Sequence, residues 1–277
     1  MEPNKFEIVA SWKGQKIQLK VACSETIHDL KMQLQILTNI PANRLKLIGL
    51  VRGNIPNDNT CIGELNIKPN HSFMVMGTAD CQMLKEKSDQ DAEIVNDLDI
   101  DYSTQTILPP FQDTINLQLL NKTIQKTEIY IINSSRPNNK LIVFDLDYTL
   151  FDCKSPASHI SLLARPGMHE MLACVYENYE ICIWSQTSWK WLEAKITELG
   201  MLDHPSYKIA FVLDQSAMFS IESTRSGKKN KHQVKPLDLI YAKFPRFSAE
   251  NTVHVDDLSR NFAMNPQSVL MISNSGP

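Results

Sequence analysis

The feature that most limits how this chain can fold is short: the apolar run Leu141-Ile142-Val143-Phe144 leads into Asp145-Leu146-Asp147-Tyr148-Thr149-Leu150. Four consecutive apolar residues, mostly β-formers, describe a strand buried on both faces, as in a parallel sheet covered by helices. Two carboxylates two positions apart at the end of such a strand repel one another where solvation is poor, and a structural core gains nothing from them. They become tolerable where a cation or a proton transfer offsets the repulsion. In open parallel sheets that place is the carboxyl edge, where ligands bind.

The surrounding pattern agrees with an α/β unit. Strand-like runs at Thr127 to Ile132, Leu141 to Leu146, Ile181 to Trp184, Lys208 to Leu213 and Thr252 to Val255 alternate with helical spacings. One helix carries Met168, Met171, Leu172 and Val175; another carries Leu192, Ile196 and Leu199, with Gly200 as its terminator. A second acidic pair, Asp256-Asp257, follows Val253-His254-Val255. Two acidic strand ends in one sheet converge on one ion, and an all-oxygen ligand set suits Mg²⁺ better than zinc. Six cysteines without a Cys-x-x-Cys pair predict free thiols, with neither a zinc site nor a disulfide framework. Ser185 and Thr187 precede the second helix and can cap it.

Residues 1–79 predict a separate small unit. Phe6, Ile8 and Ala10 alternate, as do Ile17, Leu19 and Val21, with Lys13-Gly14 as the hairpin turn between them. Thr26 and Asp29 form a capping box for a helix with Ile27, Leu30, Leu34 and Leu37 on one stripe, which Pro41 stops. Strands at Leu45 to Leu50 and Ser72 to Met76 complete it, with turns at Gly53 and near Ile62 to Leu65. From Asp80 to Asp101, eight acidic residues stand against two lysines. With Pro109-Pro110 and the polar residues after them, 80–125 reads as a solvated linker, or as an acidic segment able to fold back on a basic site. Residues 126–277 form the α/β unit.

Composition narrows the function classes. A net charge of −3 over 277 residues excludes a polybasic nucleic-acid binder, and 43% apolar content supports real cores. No apolar run approaches a membrane span, and Met1 to Ala10 lacks a leader pattern, so a soluble, unsecreted monomer is expected.

On Asp145-Leu146-Asp147-Tyr148-Thr149-Leu150 the second unit resembles the haloacid dehalogenase superfamily, a Rossmann-like fold with a mainly parallel sheet. The resemblance implies an Asp145 nucleophile that forms an aspartyl-phosphate and an Asp147 acid and base. It also implies a Ser185 hydroxyl on the phosphoryl group, a Lys235 that neutralises it, and Mg²⁺ held by Asp145, Asp147 through its backbone, Asp256 and Asp257. Phe151 to Ile181 has room for one loop and one helix, so no cap domain covers the site and a chain-like substrate is expected. Thr149, and Arg225 in the basic stretch before Lys235, would contact that substrate.

The first unit resembles ubiquitin and its β-grasp relatives. By position, Leu47-Ile48 with Lys46 falls on the patch that receptors grip; the alternative is Leu47 in the core and Ile48 a stray surface residue. Phe144 to Asp152, Ala164-Arg165-Pro166-Gly167, Trp184-Ser185 to Trp191 and Arg260-Asn261-Phe262 are similar to phosphatases of the RNA polymerase II carboxy-terminal domain that carry a ubiquitin-like domain. That family implies a nuclear serine/threonine phosphoprotein phosphatase that docks on the proteasome regulatory particle and restrains it. A catalytically inactive adaptor is the alternative. Gln186, Ser226 and His254 depart from the family's usual residues, and family members continue into a helical extension beyond Val269 to Ile272.

Overall fold

The computed structural model describes residues 5–51, 57–78, 109–152, 160–225 and 228–272, with backbone alone at 223–225 and 228–230. The Gly53 turn and the acidic stretch 80–101 lie outside them.

The first sheet begins with a hairpin, β1 (Lys5–Trp12) and β2 (Gln15–Ala22), in which Trp12 faces Gln15. Lys13 and Gly14 both take left-handed φ, +47° and +78°, the turn whose twist matches that of the paired strands. Helix α1 (Ile27–Thr38) opens with the expected reciprocal cap: Asp29 N–H donates to Thr26 Oγ1 at 3.2 Å and Thr26 N–H to Asp29 Oδ2 at 2.8 Å. Its buried stripe is Ile27, Leu30, Leu34 and Thr38. In the last turn Thr38 replaces the expected Leu37, donating Oγ1 to the Leu34 carbonyl, and Leu37 stays 51% exposed. Asn39, at φ +56°, ends the helix two residues before Pro41.

Strands β3 (Lys46–Ile48) and β4 (His71–Met76) complete the order β2-β1-β4-β3, with β1 and β4 parallel at the centre. That is the expected β-grasp arrangement. Alternation along β3 corrects the expectation for Leu47. Successive strand side chains point to opposite faces; Leu47 points inward, 1% exposed among Ile8, Leu30, Phe73 and Val75, while Lys46 and Ile48 lie on the other face. Leu47 is a core residue and offers no grip to a receptor.

Residues 109–126 are not linker. Asp113 accepts from the Ile115 and Asn116 amides and caps helix α2 (Thr114–Lys126), whose Leu119 and Leu120 enter the core of the second sheet. The two leucines, set among Asn, Gln and Thr, supply a narrow apolar stripe that a polar average conceals. The next element, β5 (Tyr130–Ile131), is shorter than the expected Thr127 to Ile132 strand. Then follow β6 (Lys140–Phe144), α3 (Met168–Tyr176), β7 (Tyr179–Trp184), α4 (Trp189–Glu198) and β8 (Ile209–Leu213). Strands β9 (Phe219–Arg225) and β10 (Lys228–Val234) form an antiparallel pair of their own, which carries the basic stretch before Lys235. Helix α5 (Leu237–Lys243), β11 (Thr252–Asp256) and β12 (Val269–Met271) end the unit.

The large sheet runs β12-β11-β6-β7-β8-β5, parallel throughout except for β5 at one edge. Strand β6 is central. Its Leu141 and Val143 join Cys182, Trp184, Phe211 and Leu213 in the core, so its carboxyl end is a fixed platform.

Candidate active site

Asp145 leaves β6 still in register with its neighbour, its N–H donating to the Val255 carbonyl at 2.9 Å. One strand over, Asp256 ends β11. Lys235 precedes α5, and its wholly buried ammonium donates to Asp145 Oδ1 and, at 2.7 Å, to Asp256 Oδ2. One ammonium therefore holds together the two carboxylates that strand pairing brings side by side. Asp145, Asp256 and Asp257 each place an oxygen within 4.8 Å of the others. Three carboxylates against one ammonium leave net negative charge, and hard oxygen donors so grouped fit a divalent cation such as Mg²⁺.

Burial pushes the Asp145 carboxyl up, to about 7, against the pull of Lys235. For Lys235 burial acts downward, but Asp145 and Asp256 outweigh it and hold the ammonium charged. Asp256 is also buried, yet the hydrogen bonds and charges around it keep it ionised, below the usual carboxylate range. It accepts from Lys235, from Asn261 Nδ2 at both oxygens (2.9 and 2.8 Å) and from the Leu258 amide at 2.8 Å. So engaged, Asp256 organises the cluster, and a cation would draw chiefly on Asp145 and Asp257. His254 beside it stays neutral because burial lowers its basicity.

Asp147 stands apart from the acid cluster. Its Oδ2 accepts from Ser185 Oγ at 3.1 Å, and Ser185 shares a 2.9 Å bond with Thr187 Oγ1 and takes the Thr187 amide at 3.1 Å. The Ser185 hydroxyl is thereby held in place between Asp147 and Thr187. Between the two aspartates and the rest of the loop, Tyr148 takes φ +66°, a conformation that side chains resist. Arg165 braces that turn: Nε donates to the Thr149 carbonyl at 2.7 Å, Nη2 to the Tyr148 carbonyl at 3.1 Å, and its amide to the Leu150 carbonyl at 2.8 Å.

Thr149 is fully buried, Oγ1 included, as are Ser185 and the Lys235 side chain in the same site. The Arg225 side chain lies outside the described residues; its backbone pairs with Lys228 at the far end of the β9–β10 hairpin. Arg165, Thr187, Gln186 and Asn261 are the site residues that the motif alone did not assign. Gln186 Nε2 donates to Asn261 Oδ1 at 2.9 Å. Arg165 and Asn261 stood in segments that carry the family resemblance, Gln186 stood out as a departure from it and Thr187 as a helix cap, but none had a role in the site.

Sheet and site together define a class: a haloacid dehalogenase-type phosphatase unit preceded by a ubiquitin-like one. Residues 140–275 match the NLI interacting factor-like phosphatase family, and residues 8–80 match the ubiquitin family. Ubiquitin-like domain-containing CTD phosphatase 1 of Xenopus laevis is 40% identical over 273 residues, spanning 96% of this chain and 84% of the relative. The proteins of that name from Danio rerio and Homo sapiens are 37% and 39% identical, each spanning 96% of this chain and 83% of the relative. The chain belongs to the family of ubiquitin-like domain-containing CTD phosphatases. It is a protein phosphatase.

Proposed function

We propose that this chain is a Mg²⁺-dependent protein serine/threonine phosphatase that works through an aspartyl-phosphate on Asp145. The observation that carries the reading is the division of labour between the two aspartates. Asp145 is clamped by Lys235 with its carboxylate in the acid cluster, while Asp147 points to Ser185 on the phosphate side. Asp145 attacks phosphorus and the bond to the seryl or threonyl oxygen breaks, with Asp147 donating a proton to the leaving alkoxide. Water then attacks the phosphorylated Asp145, Asp147 takes its proton, and inorganic phosphate and the free carboxylate result. Lys235 and Ser185 stabilise the phosphoryl oxygens. A bound Mg²⁺, held by Asp145, Asp257, Asp256 and the Asp147 backbone carbonyl, would neutralise charge on those oxygens.

The substrate class we infer is phosphoprotein, with the carboxy-terminal domain named for the relatives as one candidate, and the β9–β10 hairpin with Arg225 as a contact surface. The ubiquitin-like unit docks on the proteasome regulatory particle through the Lys46 and Ile48 face of β3, and the phosphatase restrains the proteasome there, in the nucleus.

The test is hydrolysis of p-nitrophenyl phosphate and of a phosphoserine peptide with Mg²⁺ and with EDTA, beside Asp145→Asn. Turnover that needs Mg²⁺ and falls at least ~10³-fold in the variant is expected. A folded wild-type chain that turns over neither substrate would sink the reading. For docking, Ile48→Glu should weaken binding to purified regulatory particle by about tenfold or more; unchanged binding removes this face.

A further inference from the structure

Asn261 is wholly buried, and three parts of the site meet at it. Its Nδ2 donates to both oxygens of Asp256, its carbonyl accepts from the Lys235 amide at 3.3 Å, and its Oδ1 accepts from Gln186 Nε2 at 2.9 Å. A side-chain amide has a donor end and an acceptor end, and turning it over exchanges them. An ionised carboxylate only accepts, so Asp256 requires the donor end of Asn261. The acceptor end must then face Gln186, and Gln186 must present its own donor. The polarity of the whole row follows from the charge on Asp256.

We propose that Gln186 is a positioning residue for the Asp256–Lys235 pair, acting through the side-chain amide of Asn261. Gln186 fills the acceptor end of Asn261 and so holds the donor end on Asp256. Asp256 thereby keeps the orientation in which its Oδ2 takes one proton of the Lys235 ammonium while another goes to Asp145. Because Gln186 adjoins Ser185, the same bond ties the phosphate side of the site to its acidic side. The inference rests on the phosphatase reading above and adds a residue that touches neither substrate nor metal.

Two near-isosteres separate positioning from packing. Gln186→Met keeps the volume and removes the donor; Gln186→Glu keeps the shape but can only accept, which draws the donor end of Asn261 away from Asp256. Each is compared with wild type for kcat and KM on p-nitrophenyl phosphate at saturating Mg²⁺. The metal-free melting temperature is also measured, with Mg²⁺ binding to wild type and the methionine variant by calorimetry. Expected for Gln186→Met are a kcat about tenfold lower or more, a KM within about twofold, weaker Mg²⁺ binding by a similar factor and an unchanged melting temperature. Gln186→Glu should have the lowest kcat. A methionine variant matching wild type in kcat and Mg²⁺ affinity, or a glutamate variant as active as wild type, overturns the proposal. Should wild type itself fail to turn over, the phosphatase reading fails and the calorimetry decides alone. Weaker Mg²⁺ binding by Gln186→Met then supports positioning, and equal binding, or none by wild type, overturns it.

Discussion

The ubiquitin-like sheet and the phosphatase sheet bury apolar side chains by the same means and differ in what else they bury. Among the described residues, the polar side chains buried in the first are Ser11, Thr38 and Thr78, none of them charged. The second buries Asp145 and Asp256 at the ends of neighbouring strands with Lys235 between them, and Glu180, Glu193, Lys195 and Asp214 elsewhere. Burying a charge is costly unless it is paired and hydrogen-bonded, and here each of the three site charges is tied to another. The unit that recognises partners can therefore be optimised for stability, whereas the catalytic one carries an electrostatic load where its chemistry happens.

The sharpest way to break that contrast is to remove the ammonium at its centre. Lys235→Met leaves two buried carboxylates facing one another. The phosphatase unit should lose about 3–5 kcal/mol in a denaturant titration, together with turnover of phosphate esters. Loss of turnover at unchanged stability would show that the clamp carries no structural weight. The matching cut in the other unit is Leu30→Ala, which opens a cavity under α1. It should cost about 3 kcal/mol in the unfolding of the ubiquitin-like unit and leave p-nitrophenyl phosphate hydrolysis within about twofold; a larger fall in turnover would mean that the two units are not energetically separate.

Asp145 gives the contrast a pH signature. Its folded value of about 7 lies above the ordinary 3.8, so between those pH values the folded chain holds more proton than the unfolded one. Metal-free protein should accordingly lose stability as pH rises through that window, and Asp145→Asn should escape the loss. At pH 8 in EDTA the variant's phosphatase transition is expected about 2–4 °C above wild type, together with the loss of turnover proposed for it; a lower transition would place the charge strain elsewhere. The smallest effect belongs to an uncharged surface device. Thr26→Ala removes half of the capping box and should cost the first unit about 1 kcal/mol, checked by the same denaturant titration.

Both strand ends of the site were legible because an acidic pair after an apolar run has few structural explanations. The β-grasp was legible because its turn, cap and stripe each agree with one fold. What escaped has physical reasons. In β3 successive side chains alternate between faces, so Lys46, Leu47 and Ile48 could not all share the patch that position in the chain suggested, and Leu47 is the one that turns inward. Helix α2 hid behind its Asn, Gln and Thr residues, since Leu119 and Leu120, with Ile115 and Ile124 at their flanks, make a narrow stripe. Asn261 and Gln186 act across 75 residues, a pairing that no window along the sequence contains.

The order of strands in the large sheet also bears on how the enzyme is made. Strand β6 pairs with β7, which follows it closely, on one side and with β11, near the far end of the chain, on the other. A chain emerging from the ribosome offers Asp145 and Asp147 early, but Lys235 lies 90 residues beyond Asp145, and Asp256 comes later still. Until β11 arrives, the largely apolar β6 has an open edge, the kind of surface on which unfinished chains pair wrongly. The same delay keeps Asp145 without its clamp, so an incomplete chain lacks the assembled cluster with which a phosphatase would act on the phosphoproteins around it.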